Sequence, residues 1–357
     1  ISILGVLKSG GAYVPIDPLF PKDRIEYIIE DTKTNIVITQ KHLISLFDDI
    51  NKNIHIFQID NIESKKTLSL FETNNLINIT TSLHLMCIIF TSGTTGKPKG
   101  VLLTHRGIVN QNLAHQYYAQ LNSSDIFFFK TPYTFDVHFW ELLSLIIGSK
   151  LIICKHEGHK DVQYMKEIIL KEKITILNFV PSMASVFFNE IEDDYIKNSS
   201  IKYLDLTGEA LSLKLLQLIQ QKSENKIHIY NSGGPTETSV ACFWYEIDHS
   251  INYTQAPPIG KSIINYRLYV LDQYLKPTLA GIVGELHASG PGIARGYLNL
   301  PELTNEKFID NPFMTENDKI KGYNKLYKTG DLVRWLPDGN LEYIGRNDFQ
   351  VKIRGFR

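Results

Sequence analysis

The chain has 357 residues, of which 43% are hydrophobic and 21% charged, and its formal net charge is −1. This composition is ordinary for a globular protein with a large core, and the length suggests two or three domains. No long run of lysines or arginines occurs, so a sequence-independent nucleic-acid binder is disfavoured. The three cysteines are far apart and form no CxxC pair, which argues against a disulfide framework and a thiolate metal site.

The apolar segments predict no membrane span. The longest runs, such as residues 142–147, are too short to cross a bilayer, and no basic region followed by an apolar segment opens the chain. We therefore predict a cytoplasmic protein that binds neither membranes nor nucleic acids. Both ends are expected to be cut, because residues 1–7 have the pattern of a helix interior and the chain stops at VKIRGFR.

The first two-thirds of the chain alternate short apolar runs with longer amphipathic ones. Strands are predicted at residues 36–39, 85–90, 126–129, 150–154, 174–179, 203–206 and 226–230. Helices are predicted between several of them, for example at residues 24–31, 139–147, 162–171 and 213–221. This alternation predicts an α/β region over residues 1–250, with parallel sheets flanked by helices. Residues 51–82 are rich in Asn, Lys, Thr and Ser, and are predicted to be a loosely structured connection or a variable edge.

The character of the sequence changes after residue 250. Short strands separated by Gly, Pro and Asp-Gly turns are predicted at residues 266–271, 284–289, 332–335 and 341–344. They indicate a smaller β-rich subdomain over residues 251–347, which we expect to resemble a distorted barrel.

The stretch FTSGTTGKPKGV at residues 90–101 is the most distinctive segment. Its hydroxyls, its glycine N–H groups and the cations Lys97 and Lys99 suit the β and γ phosphates of a nucleotide. Pro98 stands where the P-loop pattern G-x-x-x-x-G-K-[ST] requires Ser or Thr for the metal. A glycine-rich surface turn is the alternative, but the order of hydroxyls, glycines and lysines is more specific than such a turn requires.

This stretch resembles the signature of the adenylate-forming superfamily, which includes acyl-CoA synthetases, luciferases and the adenylation domains of nonribosomal peptide synthetases. Other segments are similar to motifs of the same family, in the family's order. They are LKSGGAYVPIDP (7–18), FD and WE (within 135–141), NSGGPTE (231–237), GEL through ARGYL (284–298), YKTGDL (327–332) and GRNDFQVKIRG (345–355). The resemblance covers nearly the whole chain. It implies the large N-terminal domain of the adenylate-forming fold, with the C-terminal domain missing.

The resemblance implies a site for ATP and Mg²⁺. Thr236 would contact the α-phosphate and Glu237 would hold the metal, while Lys97 and Lys99 would face the departing phosphates. Asp331 would accept hydrogen bonds from both ribose hydroxyls, which a carboxylate can do. The other residues implied on the nucleotide side are Thr91, Ser92, Gly93, Thr94, Thr95, Gly96, Gly208, Glu209, Asn231, Gly234, Tyr343 and Arg346.

The resemblance also implies an amino-acid pocket. Asp136 matches the carboxylate that pairs with the substrate ammonium in α-amino-acid-activating members, and the alternative is a helix N-terminal charge near Phe139. The rest of the implied pocket is Val137, Trp140, Asn178, Asp205, Thr207, Ser232, Val240 and Ala241. An unpaired buried carboxylate is costly, so Asp205 favours a substrate with a polar or basic side chain over Leu, Val or Phe.

The sequence departs from the family pattern in two places. Gly233 stands where an aromatic ring usually lies against adenine, and the lost stacking would cost on the order of 1 kcal/mol. The sequence thus predicts weakened ATP affinity or an altered adenine pocket. The family's bridging lysine would lie beyond Arg357, in the domain that begins at the hinge residue Asp348 and of which residues 348–357 are the start. As a separate polypeptide, the chain is expected to bind nucleotide but to adenylate poorly.

The implied activity is formation of an aminoacyl adenylate, followed by transfer to the phosphopantetheine thiol of a carrier-protein domain beside a condensation domain. Two alternatives stay open. A carboxylate–CoA ligase is disfavoured by Asp136 and by the AYVPIDP segment, and a degenerate domain that binds nucleotide without turnover is suggested by Gly233.

Overall fold

The computed structural model describes residues 1–48, 54–92 and 97–347. The predicted phosphate-loop residues Gly93, Thr94, Thr95 and Gly96 and the predicted hinge residue Asp348 lie outside these ranges.

The described helices are α1 (Ser2–Lys8), α2 (Lys22–Thr32), α3 (Ile62–Ser69), α4 (His105–Tyr118), α5 (His138–Leu142), α6 (Ser144–Ile147), α7 (Val162–Glu172), α8 (Pro181–Glu190), α9 (Tyr195–Asn198), α10 (Leu213–Ser223), α11 (Pro301–Lys307) and α12 (Glu316–Lys321). The described strands are β1 (Ile36–Thr39), β2 (His55–Gln58), β3 (Leu85–Thr91), β4 (Lys99–Thr104), β5 (Ile126–Phe129), β6 (Lys150–Ile153), β7 (Ile176–Phe179), β8 (Tyr203–Thr207), β9 (His228–Gly233), β10 (Phe243–Glu246), β11 (Lys261–Ser262), β12 (Arg267–Leu271), β13 (Gly284–Ser289), β14 (Phe308–Asp310), β15 (Lys325–Trp335) and β16 (Leu341–Arg346). Short 3₁₀ segments lie at Lys41–Phe47, Gly158–Lys160 and Thr236–Thr238.

The centre of the fold is a sheet that seven of these strands form in the order β11-β10-β9-β8-β7-β5-β6. Strands β5 to β9 run parallel to one another, whereas β10 is antiparallel to both of its neighbours, β9 and β11. Parallel neighbours need crossover connections, which α7, α8 and α10 supply while covering the sheet. Their buried residues, among them Ile169, Phe187 and Leu216, share one core with β7, β8 and β9.

Most predicted elements of this region are confirmed to within a few residues. The predicted helix at residues 139–147 is instead two short helices, α5 and α6, which meet at Leu143. Helix α4 carried no prediction. Its buried face contains Gln111, Asn112 and His115, so the apolar periodicity that reveals a helix is weak there.

Two smaller pairs of strands lie nearer the N-terminus: β1 with β2, which is parallel, and β3 with β4, which is antiparallel. The prediction that residues 51–82 form a loose connection is wrong in part, because β2 and α3 lie within them. The Asn61 side chain accepts a hydrogen bond from Glu63 N and caps α3, yet this helix buries no residue. A polar helix of this kind leaves no hydrophobic pattern in the sequence.

The C-terminal third forms an antiparallel sheet in the order β12-β13-β15-β14, with β16 also paired to β15. The long strand β15 pairs with β13 along one edge and with β14 and then β16 along the other. The predicted β-rich character of this region is confirmed. Among the described residues, no helix is both long and apolar enough to span a membrane.

Phe187 on α8 tests the importance of the central core, in which its side chain is fully buried. Phe187→Ala leaves a cavity, so the free energy of unfolding is expected to fall by about 3–5 kcal/mol. Val186 on the same helix is exposed, and Val186→Ala should change that free energy by less than about 0.5 kcal/mol. Urea unfolding followed by circular dichroism measures both variants, and equal losses would contradict this account of the core.

Candidate active site

The turn after β9 carries Thr236 and Glu237 into the interior. The backbone at Gly234 is so enclosed that a Cβ there would lie 2.6 Å from Thr238 Oγ1. The Thr238 hydroxyl donates a hydrogen bond to the Pro235 carbonyl at 2.8 Å and closes the turn. Both Thr236 and Glu237 are buried, and Glu237 is fully so.

Two side chains from distant parts of the chain hold Glu237. Its Oε1 accepts a hydrogen bond from Lys99 Nζ at 2.8 Å and another from the Tyr297 hydroxyl at 2.7 Å. Lys99 Nζ also donates to the Tyr297 hydroxyl at 2.9 Å and lies 4.2 Å from the centre of its ring. Burial first, and then the charge of Glu237, raises the pKa of Tyr297 far above its usual value, so the phenol keeps its proton and donates it.

Backbone hydrogen bonds fix the three segments that carry these side chains. Leu102 N on β4 donates to the Gly296 carbonyl at 3.0 Å, so the chain before Tyr297 runs beside the strand that carries Lys99. Ala294 N donates to the Glu237 carbonyl at 2.8 Å. The main chain therefore brings the three segments side by side, and the side-chain contacts of Glu237 join them.

The hairpin of β3 and β4 presents the described ends of the predicted phosphate loop. Thr91 and Lys99 oppose each other there, and Ser92 and Lys97 are exposed on either side of the loop. The Thr91 hydroxyl oxygen is buried and has no hydrogen-bond partner among the described residues. Because buried polar atoms are normally satisfied, this hydroxyl is well suited to a ligand oxygen such as that of a phosphate.

The residues present also fit a magnesium ion brought by the nucleotide. Within residues 1–48, 54–92 and 97–347, no group of three or more His, Cys, Asp or Glu side chains could hold a metal ion by itself. Mg²⁺ commonly binds through one or two carboxylates, with phosphate oxygens and waters supplying the other ligands. Glu237 is a buried carboxylate of the required type beside the predicted phosphate loop.

Asp331 and Arg346 face each other across β15 and β16. Arg346 Nη1 donates to Asp331 Oδ1 at 2.7 Å, and each side chain is 17% exposed. The Glu285 carboxylate accepts a hydrogen bond from Gly330 N at 3.0 Å and so holds the backbone directly before Asp331. The predicted ribose-binding carboxylate is thus oriented by an arginine while still reached by solvent, and Tyr343 lies on the same strand as Arg346.

Three other predicted nucleotide residues lie within or just after β8 and β9. Gly208 follows β8 with a φ of +90°, which favours glycine. The Glu209 carboxylate accepts hydrogen bonds from Ser182 N at 2.9 Å and from Ser182 Oγ at 3.1 Å, in the first turn of α8. Asn231 donates to the Pro258 carbonyl at 2.8 Å. The Glu209 contacts tie the segment after β8 to α8, and the Asn231 contact ties β9 to the segment around Pro258.

The segment that carries Asp136 is anchored by a buried histidine. His138 Nδ1 lies 2.6 Å from the Phe135 carbonyl, and Nε2 lies 2.6 Å from the Tyr13 hydroxyl. Burial lowers the pKa of His138 to about 4, so the ring is neutral near pH 7 and carries one N–H. That N–H must face the carbonyl, and the tyrosine therefore donates to Nε2. Tyr13 and His138 had no predicted role, although Tyr13 belongs to a recognised motif.

The predicted pocket residues of the central sheet share one face. Asn178 pairs with Asp205, and Thr207 pairs with Ser232, on adjacent parallel strands. Residues two apart on a strand point to the same side, so all four side chains do. Each is buried, and the Ser232 hydroxyl donates to Asp205 Oδ1 at 2.5 Å. Trp140, Val240 and Ala241 are buried in an adjoining core, against which Val137 packs.

Helix α4 places polar side chains beside these residues, and no role was predicted for them from the sequence. Gln111 donates to the Ala241 carbonyl at 2.9 Å and accepts from Trp140 Nε1 at 3.2 Å when its amide is oriented to satisfy both. One turn further on, His115 Nε2 lies 3.5 Å from Asp205 Oδ2. Gln111 and His115 are four positions apart, a spacing that places both on one face of a helix, and this spacing could have indicated a polar face of α4 from the sequence.

Comparison with known families identifies the family of the chain. The family model described as "AMP-binding enzyme" matches residues 1–298. The chain belongs to the AMP-binding enzyme family. The resemblance inferred from the motifs is thereby confirmed.

Several curated relatives of this AMP-binding chain are peptide synthases. The chain is 40% identical over its whole length to part of gramicidin S synthase 2 of Brevibacillus brevis, and it covers 8% of that protein. It is 38% identical to part of tyrocidine synthase 3 of Brevibacillus parabrevis and covers 5% of it. Gramicidin S synthase 1 of Brevibacillus brevis is also 38% identical, with 31% of it covered. The chain therefore spans a minor part of the relatives that it matches.

Solved structures confirm the predicted fold class. The nonribosomal peptide synthetase FmoA3, in a form bound to alpha-methyl-L-serine-AMP, matches 98% of the chain with a TM-score of 0.85 and 27% identity. The chain covers 38% of that protein. The AMPPNP-bound form of FmoA3 matches with a TM-score of 0.84. The AMP-binding fold, with its parallel sheets and covering helices, is thus shared over nearly all of the chain.

The contact between Lys99 and Glu237 can be tested through stability. Lys99→Met leaves a fully buried carboxylate without its cation, so the free energy of unfolding at pH 7 should fall by about 3–5 kcal/mol. Adding Glu237→Gln removes the stranded charge and should restore much of the loss.

The control for these two variants is an exposed ion pair. Lys150 contacts Glu172 at the same 2.8 Å distance, and Lys150→Met should cost less than about 1 kcal/mol. Chemical denaturation of the wild type, Lys99→Met, Lys99→Met/Glu237→Gln and Lys150→Met measures the differences in the free energy of unfolding. A double variant no more stable than Lys99→Met would refute the role assigned to the ion pair.

Proposed function

We propose that the chain activates an amino acid with ATP, forming an aminoacyl adenylate and releasing pyrophosphate. One observation carries the proposal. The segment from Ser232 to Glu237 joins two groups of buried polar residues, since Ser232 contacts Asp205 among the predicted pocket residues and Glu237 contacts Lys99 beside the predicted phosphate loop. A carboxylic acid held in the first site would thus lie near the phosphates of a nucleotide held in the second.

The proposed reaction needs charge stabilisation at the phosphates. The substrate carboxylate attacks the α-phosphorus, and negative charge develops on the phosphoryl oxygens and on the leaving pyrophosphate. Lys99 offers a fixed cation, Lys97 an exposed one, and Thr91 and Thr236 offer hydroxyls. A bound Mg²⁺ would neutralise phosphate charge, with Glu237 as its protein ligand.

On the nucleoside side, Asp331 would accept hydrogen bonds from the ribose hydroxyls while Arg346 holds its carboxylate in place. On the amino-acid side, Asp136 would pair with the α-ammonium group. The anchoring of the Phe135 carbonyl by His138 supports this, because it fixes the backbone just before Asp136. Tyr297 would act as a positioning residue for Glu237.

The relatives support a place in nonribosomal peptide synthesis. The curated relatives named above are synthases of peptides, and FmoA3 is bound to an amino acid joined to AMP. The partners of this chain would be a carrier-protein domain, whose phosphopantetheine thiol receives the aminoacyl group, and a condensation domain. Asp348 stays the proposed hinge, and the cytoplasmic location stays a prediction.

Amino-acid-dependent ATP–pyrophosphate exchange, measured on the protein in its native reading frame, tests the proposal. Exchange that depends on a free α-amino acid supports it. Activation of fatty or aryl acids with coenzyme A as acceptor would favour a carboxylate–CoA ligase instead. ATP binding with no exchange for any acid would favour a domain that binds nucleotide without turnover.

Asp331→Ala is expected to weaken ATP binding by about 10-fold to 100-fold, because losing the hydrogen bonds of the ribose to a charged group costs about 1.5–3 kcal/mol in total. Asp338 is an exposed turn residue of the same sheet, whose carboxylate accepts a hydrogen bond from Asn340 N at 2.9 Å. Asp338→Ala is the matched control and should leave the ATP dissociation constant unchanged. Calorimetry measures both, and equal effects would remove Asp331 from the proposed nucleotide site.

The missing aromatic residue at 233 has a neighbour that can replace it. Phe243 pairs with Gly233 across β9 and β10, and a Cβ at 233 would lie 2.9 Å from Phe243 Cζ. We propose that the Phe243 ring takes the place against adenine that the family gives to residue 233. Installing Tyr at 233 alone would then collide with this ring.

Phe243→Ala is accordingly expected to weaken ATP binding by about 5-fold to 10-fold, the loss of one aromatic contact. The double variant Gly233→Tyr/Phe243→Thr should bind ATP nearly as tightly as the wild type. Gly233→Tyr alone should bind ATP more weakly than the wild type, because the new ring collides with Phe243. ATP titration of the three variants decides the matter. Wild-type affinity in Phe243→Ala would show that this ring does not contact adenine.

A further inference from the structure

Strand β15 is irregular where it carries Asp331. Glu285 on β13 pairs with Leu332 and His287 pairs with Lys328, so one residue of β13 faces three residues of β15, which bulges there. Bulges are common beside active sites, where they redirect a side chain. The direction of the Asp331 carboxylate therefore depends on the contacts that keep this bulge in one shape.

Side chains supply the acceptors inside the bulge. Gly330 N donates to Glu285 Oε1 at 3.0 Å, and Asp331 N donates to the Thr329 hydroxyl oxygen at 3.0 Å. The Thr329 hydroxyl donates in turn to the Leu286 carbonyl at 2.7 Å. Thr329 belongs to the bulge itself, whereas Glu285 reaches the bulge from the neighbouring strand. Glu285 is thus the contact that ties the bulge to the rest of the sheet.

Glu285 also holds the end of β16. Asn347 Nδ2 donates to Glu285 Oε2 at 3.1 Å, and Asn347 N donates to the Gly330 carbonyl at 3.0 Å. Glu285, Gly330 and Asn347 are therefore joined in a closed cycle of three hydrogen bonds. Gly330 directly precedes Asp331, and Asn347 directly follows Arg346, whose Nη1 donates to Asp331 Oδ1. The cycle thus fixes both the backbone and the side-chain partner of Asp331.

A carboxylate suits this position because both of its partners are N–H donors. An ionised carboxylate has two acceptor oxygens and no donor, and Glu285 uses one oxygen for each partner. Hydrogen bonds to an ionised acceptor are about twice as strong as neutral ones. The Glu285 side chain is also partly buried, so water competes less for its oxygens.

We propose that Glu285 is a positioning residue of the nucleotide site, which orients the Asp331 carboxylate towards the ribose by holding Gly330 and Asn347 together. The inference rests on the proposed function, since it adds a residue to the same ATP site. Glu285 acts through Asp331 and does not touch the nucleotide. Without Glu285, Gly330 N loses its acceptor and the Asp331 carboxylate takes several directions. The ribose then has to order that carboxylate as it binds, which costs affinity.

Ribose binding and the hydrogen-bond cycle depend on each other. Because linkage between two equilibria is reciprocal, a cycle that favours ribose binding is itself favoured when ribose is bound. The Asn347 amide reports on the cycle, since it donates to the Gly330 carbonyl. Asn347 directly precedes Asp348, so a bound nucleotide stabilises the backbone just before the proposed hinge.

Two nucleotides test whether Glu285 acts through the ribose hydroxyls. Equilibrium dialysis on the protein in its native reading frame measures the dissociation constants of ATP and of 2′,3′-dideoxy-ATP, which lacks both hydroxyls. Glu285→Ala should weaken ATP binding by about 10-fold and change the affinity for 2′,3′-dideoxy-ATP by less than about 2-fold. A variant that merely loosened the fold would bind both nucleotides more weakly.

Two further variants use the same measurement. When Asp331→Ala is already present, Glu285→Ala should add less than about 2-fold to the loss of ATP affinity, because the residue it positions is gone. Glu285→Gln keeps an oxygen for Gly330 N, and the Asn347 amide can turn to accept from the new N–H. Glu285→Gln should therefore bind ATP within about 3-fold of the wild type.

Glu342 provides the matched control. It is a partly buried glutamate of the same sheet that also accepts hydrogen bonds from two side chains, those of Arg334 and Gln255. Glu342→Ala should lower the unfolding temperature and leave the affinity for ATP unchanged. In ATP–pyrophosphate exchange, Glu285→Ala should raise the KM for ATP by about 10-fold without changing the KM for the amino acid. Glu342→Ala should change neither KM.

Hydrogen–deuterium exchange tests the coupling between the ribose and the cycle. In the wild type, ATP should slow exchange of the Asn347 amide by about 5-fold. In Glu285→Ala, ATP should slow it by less than about 2-fold. Equal slowing in both proteins would contradict the coupling through Glu285.

The outcomes separate this inference from the proposed function. Equal losses for ATP and 2′,3′-dideoxy-ATP in Glu285→Ala, or wild-type affinity for both, overturn the inference and leave the proposed function standing. A loss for ATP alone, in a protein that shows no exchange with any acid, supports the inference and counts against the proposed function. A wild-type protein that binds neither nucleotide overturns both.

Discussion

The ion pair between Lys99 and Glu237 is the contact on which the organisation of the site depends. It joins residues 138 positions apart, and Tyr297, a further 60 positions beyond Glu237, bonds to the same carboxylate oxygen. Removing a carboxylate from water costs several kcal/mol, and only close, well-oriented donors offset that cost. Burial of Glu237 is therefore tolerable only when the hairpin, the turn after β9 and the segment before Tyr297 are assembled together. A local requirement for one charge thereby positions three distant segments.

The central sheet is subject to a second constraint. Its polar side chains must lie on one face of the sheet without weakening the apolar core on the other. Strand alternation does this at little cost, because Asn178, Asp205, Thr207 and Ser232 share one face while Leu204 and Leu206 point to the other. The apolar face is covered by α8 and α10. Burial of this face contributes free energy that offsets the cost of burying the polar face. The predicted pocket residues and the core thus lie on two sides of the same strands.

The sequence predicted much of this arrangement for physical reasons. Strands such as β1 and β5 are apolar runs bounded by polar residues, and the turn around Gly234 needs a glycine that no other residue can replace. The contacts from α4 could not be predicted in the same way. A helix that buries Gln111 and His115 lacks the apolar stripe by which helices are recognised, and it contacts β8 only through the tertiary fold. Tyr297 illustrates the same limit, since its hydroxyl matters only because Glu237 is beside it.

The unsatisfied atoms of the site follow from these constraints. Thr91 Oγ1, Asp205 Oδ2 and His115 Nδ1 each lose hydration on folding without gaining a partner in the described part of the chain, so each lowers the stability of the unliganded protein. A ligand that supplies the missing partners recovers that free energy on binding, and it meets groups that the backbone has already oriented. A group that does not match, such as a methyl beside Asp205, recovers none of it. In the proposed pocket, specificity would therefore come from the cost already present in the folded chain, and the buried acid Asp205 would have a large influence on which ligand is accepted.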